Sequence, residues 1–121
     1  MSDEEVLAFA RDHLGSIWSL EVLLILRRDP QKLWNERELE REVRGSPQIV
    51  RDALAVLSRT GAASFVDGRG WHYSPRSPDI ARILDELAEL QATKPMLVAK
   101  AILTSTNHRI RTFADAFRIK P

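Results

Sequence analysis

The chain has 121 residues, 44% of them apolar and 29% charged, a balance that suits one globular domain and excludes wholesale disorder. It contains no cysteine, which excludes disulfides, thiol catalysis and cysteine-based zinc sites and fits a reducing, cytoplasmic setting. The net charge is only +1, yet it is unevenly spread: residues 1–30 hold six acids and three bases (−3), whereas residues 94–121 hold six bases and one acid (+5).

Met1 to Glu5 are acidic with no long apolar run behind them, which does not read as a secretory signal. Val6, Leu7, Phe9, Ala10 and Leu14 form a loose stripe that predicts a helix over 3–13, broken by Gly15. Ser16 is a suitable cap for the next helix. Ile17, Trp18, Leu20 and the run Val22–Leu26 make that helix apolar nearly all round, so it is expected at the centre of the core, with Trp18 inside. The run ends at Arg27-Arg28, far short of the roughly 20 residues of a membrane span, and no transmembrane segment is expected. Asp29-Pro30 stops the helix.

Leu33-Trp34 reads as a short extended segment, with Trp34 in the core. Asn35 with Glu38 three residues later has the pattern of a capping box, followed by a helix over 36–43 with Leu39 and Val43 inward and Arg44-Gly45 closing it. Ser46-Pro47 opens another helix, because serine caps and proline suits the first turn; it runs to Thr60, with Gly61 as its terminator. Ile49, Val50, Ala53, Leu54, Val56 and Leu57 fall on the inward side, leaving Gln48, Arg51, Asp52, Ala55, Ser58 and Arg59 outward. A strand is expected over 63–66, a turn at Asp67-Gly68-Arg69-Gly70 and a returning strand over 71–74, with Trp71 packed at the hairpin base. Ser77-Pro78-Asp79 starts a long helix to about 92 with Ile80, Ile83, Leu84, Leu87 and Leu90 on one side. A further helix is expected from about Pro95 to Leu103. After a break at Ser105-Thr106-Asn107, a last helix covers about 108–118. Ile110, Phe113, Ala114 and Phe117 recur on it at i, i+3, i+4 and i+7, with Arg109, Arg111 and Arg118 off the stripe.

The order helix, short helix, turn, capped helix, hairpin is the layout of a winged helix. The run from Ser46 to Gly61 resembles the recognition helix of winged-helix transcription regulators, through Ser46, Val50, Leu54, Leu57 and Gly61. The resemblance spans roughly residues 16–75. The Ser16-Ile17-Trp18-Ser19-Leu20-Glu21 opening and the Phe-Ala-Asp-Ala-Phe-Arg ending are similar to a group of small bacterial winged-helix proteins, a likeness that carries fold and no activity. It implies a mostly α fold with a small β-hairpin: an N-terminal helix (1–15), a winged helix-turn-helix domain (16–76) and a C-terminal helical extension (77–121) for dimerisation or docking.

The function this implies is binding of duplex DNA by a homodimeric regulator, with the 47–60 helix in the major groove. Ser46 and Pro47 present the helix start to a phosphate, Gln48 suits an adenine edge and Arg51 a guanine edge. Asp52 sits among them, Arg69 at the hairpin tip reaches a minor groove or backbone, and His72 and Arg76 add backbone contacts. The acids Glu36, Glu38, Glu40, Glu42 and Asp52 weaken an electrostatic footprint. The alternative is a protein-interaction adaptor that docks a protein or membrane-associated partner through Ile110, Phe113, Phe117 and Arg118. His13, His72 and His108 are isolated, so no metal or other cofactor is expected, and no nucleophile–base pair or phosphate loop supports an enzyme.

Overall fold

The computed structural model describes residues 2–104. The expected 108–118 helix, with Ile110, Phe113, Phe117 and Arg118, lies outside the described residues. Helix α1 (Asp3–Phe9) is capped by Ser2 and runs directly into a π-helical turn, Ala10–Leu14, which ends at left-handed Gly15. Helix α2 (Ile17–Arg28) starts at Ser16, whose Oγ accepts from Ser19 N–H at 3.1 Å and shares a second hydrogen bond with the buried Ser19 hydroxyl.

Helix α3 (Glu36–Val43) carries the expected capping box: Glu38 N–H donates to Asn35 Oδ1 at 2.9 Å, and Asn35 N–H donates to Glu38 Oε1 at 3.1 Å. Arg44-Gly45 closes α3 as expected, with Arg44 in the left-handed conformation. Helix α4 (Pro47–Thr60) follows, capped by Ser46 and ended by Gly61. Strands β1 (Ala63–Val66) and β2 (Gly70–Tyr73) form an antiparallel hairpin, and Trp34 adds a single antiparallel bridge to Trp71. The second strand therefore starts one residue earlier than expected, because Gly70 pairs with Val66 directly after a three-residue turn. Helix α5 (Pro78–Thr93) is capped by Ser77, and helix α6 covers 95–104.

The Asn35 N–H holds the Glu38 carboxyl below its ordinary value of 4.5, with help from Lys32 at 3.3 Å. A carboxyl whose folded value is depressed contributes its full stability above the unfolded value and loses it as pH falls through the folded one. Glu38→Gln keeps an acceptor for Asn35 but no charge. Urea unfolding is expected to show the native protein ahead near neutral pH, with the gap closing below about 4.5.

One apolar cluster joins the described elements. It holds Val6 and Leu14, then Leu20, Leu23 and Leu26 of α2, Leu39 of α3, and Val50, Leu54 and Leu57 of α4. Leu84, Leu87 and Leu90 of α5 and Val98 and Ile102 of α6 complete it. The α5 stripe is thus consumed by the chain's own core, which removes it as a ready dimer face. Arg27 of α2 reaches Asp85 of α5 at 2.9 Å and fastens the outer edge of this packing. Burial pushes the neighbouring Tyr73 phenol above its usual range, and the Asp85 charge adds to the shift. Among the described residues no helix is long and apolar enough to cross a membrane.

Two tryptophan expectations divide. Trp34 is buried, whereas Trp18 is 37% exposed and does not belong to the core. The helical turn places Leu20, Leu23 and Leu26 inward and leaves the indole at the start of α2, beside Gly45 in the α3–α4 turn. Leu24 and Ile25 are only half-buried, so α2 has a solvent side.

Candidate nucleic-acid interface

Helix α4 presents two chemically distinct sides. Val50, Ala53, Leu54 and Leu57 are buried, and Ile49 and Val56 are half-buried at the margins. Gln48, Arg51, Asp52, Ala55, Ser58 and Arg59 are all exposed, which is the outward row expected from helical spacing. The N-terminal end of this row is pre-ordered. Ser46 Oγ accepts from Ile49 N–H at 3.2 Å and Pro47 occupies the first turn. Gln48 Nε2 donates to Asp52 Oδ1 at 2.7 Å. An amide nitrogen carries two hydrogens, so one remains free, as does the Gln48 carbonyl oxygen. Asp52 thereby orients Gln48 rather than consuming it. Arg51 has no ion-pair partner among the described residues.

The hairpin residues are placed differently. Arg69 lies exposed in the three-residue turn, where its backbone N–H donates to Val66 at 2.9 Å. It borders a cleft of about 430 Å³ with Asn35 and Glu36 of α3 and Phe65, Gly70 and Trp71 of the hairpin; no α4 residue lines this cleft. His72 is half-buried and shares a 3.0 Å hydrogen bond with Ser64 on the opposite face of the hairpin from Phe65 and Trp71. Arg76 folds back on the end of α4, its guanidinium donating to Arg59 O at 3.3 Å and its N–H to Gly61 O at 2.7 Å. The His72 bond thus ties β2 to β1 within the hairpin, whereas Arg76 ties the segment after β2 to the end of α4. His13 stacks on Phe9 at 5.0 Å, and His108 lies outside the described residues.

Two aromatic features escaped the sequence reading. Trp18, with Ser16, Ile49, Asp52 and Val56, lines a small cleft of about 200 Å³ along the flank of α4. Phe65 is 51% exposed and packs against Trp71 at 5.2 Å. Register puts Phe65, Trp71 and Trp34 in one row on one face of the sheet, grading from open to buried. Alternation along β1 sets Phe65 on the same side as the buried Ala63, yet two residues nearer the hairpin turn it is half exposed. Trp18→Phe preserves the aromatic contact and is expected to change stability by less than about 1 kcal/mol in urea unfolding.

Comparison with family models, with curated proteins and with solved structures returned no match.

Proposed function

We propose that the chain is a DNA-binding transcriptional regulator of the winged-helix type, acting as a homodimer with α4 as the helix that enters the major groove. The observation that carries the reading is the open outward row of α4. It begins at a capped, proline-started helix end, holds an oriented amide at Gln48, and offers a guanidinium at Arg51 with no internal ion pair among the described residues. A helix of 14 residues with a free polar face fits the groove, and its N-terminal residues are those that meet base edges. The element order and the bridged hairpin support the same reading, with Arg69 as the wing-tip cation.

The experiment is binding of the full chain to fluorescently labelled duplex DNA across a salt series. Tight binding at low salt and a steep fall as salt rises are expected, because phosphate neutralisation releases counterions. Failure to bind any duplex, including fragments of its own genome, at low salt overturns the reading. Because α5 is spent on the core, sedimentation is expected to report a dimer built on another surface; a monomer on DNA would remove the homodimer from the proposal.

The exposed Phe65 favours a second reading, a winged-helix adaptor that docks a protein partner. Absence of DNA binding, together with a partner held by the native chain and lost from Phe65→Ser, would select it.

A further inference from the structure

Two opposite charges border the cleft beside the hairpin without meeting. Glu36 enters it from the start of α3 and Arg69 from the hairpin turn; both are exposed, and neither makes an ion pair among the described residues. Lys32, four residues before Glu36, is engaged elsewhere: its ammonium pairs with Glu38 at 3.3 Å and lies 3.8 Å over the Trp34 ring. Between the two charges the wall is aromatic. Phe65 and Trp71 meet with centroids 5.2 Å apart and planes tilted by 53°, an angled wall rather than a parallel slot. Asn35 adds an amide whose oxygen caps α3 and whose nitrogen keeps its two hydrogens for a ligand.

We propose that this cleft binds a free aromatic amino acid, its ring against Phe65 and Trp71, its ammonium at Glu36 and its carboxylate at Arg69. The pairing of charges selects the ligand. A simple cation satisfies Glu36 but meets Arg69 as a like charge, and a simple anion does the reverse. An apolar molecule desolvates both charges and partners neither. A residue inside a peptide chain lacks both charges, which separates this ligand from a docked polypeptide. The volume of about 430 Å³ lies in the range of about 300–1,000 Å³ usual for small-molecule sites, and so does the make-up of aromatic walls with a few polar anchors. The inference does not depend on DNA binding.

The test is NMR titration of the full chain with L-phenylalanine and three truncated probes: its amide, which lacks the carboxylate; phenylpropionate, which lacks the ammonium; and L-alanine, which lacks the ring. L-Phenylalanine is expected to saturate the site at about millimolar concentration and to move the Trp71 indole N–H signal while leaving that of Trp18 in place. Each truncated probe is expected to bind about tenfold more weakly or worse. Glu36→Gln should weaken L-phenylalanine and its amide about tenfold and leave phenylpropionate unchanged; Arg69→Gln should weaken L-phenylalanine and phenylpropionate and leave the amide unchanged. Both residues are exposed and unpaired among the described residues, so both variants are expected to fold. Absence of saturable binding by L-phenylalanine, L-tyrosine and L-tryptophan up to about 10 mM overturns the proposal. Equal binding of L-phenylalanine and its truncated probes overturns it too and leaves only an apolar surface, as do shifts confined to Trp18.

Discussion

Gly70→Ala is expected to destabilise the protein by about 3 kcal/mol or more. Gly70 sits at φ +131°, a region that side chains of L residues rarely enter. A Cβ built there lies 2.9 Å from the Trp34 carbonyl carbon and closer still to its oxygen. Both atoms are backbone, so no rotamer can relieve the clash. The strand must move, and the movement breaks the paired 2.8 Å hydrogen bonds between Trp34 and Trp71. Backbone strain of about 1–3 kcal/mol adds to the loss of two buried hydrogen bonds, against a typical total stability of about 5–15 kcal/mol. Gly68→Ala is the control. Its φ is +75° and nothing lies within 4 Å of the added Cβ, so only the conformational cost of about 1 kcal/mol remains. Urea unfolding of the two variants separates the close approach from the turn conformation; equal losses would show that the Trp34 contact is not the cause.

The helices of this fold were readable because their signals are local. Ser16, Asn35, Ser46 and Ser77 cap the helices they were expected to cap, since a cap needs only a side-chain oxygen and an amide three residues on. The two sides of α4 were equally legible from period alone. What failed to show in the sequence depends on neighbours distant in the chain. Trp18 belongs to an apolar run, but whether the indole turns inward depends on how α2 meets α4 and the Gly45 turn. Arg76 reads as a free cation until the chain reversal brings it onto the Arg59 carbonyl. The Gln48–Asp52 pair, four residues apart on one helix, was visible in spacing; its effect is to recast Asp52 from an electrostatic liability into an orienting group.

That pair separates the ways in which α4 can meet DNA. Arg51→Ala removes an exposed side chain with no internal ion pair among the described residues, so stability is expected to shift by no more than about 0.5 kcal/mol. If Arg51 reads a guanine edge, the change costs about 1–3 kcal/mol, roughly ten- to hundredfold in affinity, for the preferred site and much less for random duplex. If it touches only phosphate, both affinities fall alike and the salt slope drops by about 0.9. Asp52→Ala acts in the opposite sense on the two properties. It removes a negative charge facing the duplex, so binding to random DNA is expected to tighten. It also frees Gln48 to sample other rotamers, so discrimination between sites is expected to weaken. An electrostatic surface without base reading predicts the first effect alone, whereas a Gln48 held in reading position predicts both. Fluorescence titration of Arg51→Ala and Asp52→Ala against one preferred and one scrambled duplex decides between them. Unchanged affinity and selectivity in both variants would move the DNA contact off the start of α4 altogether.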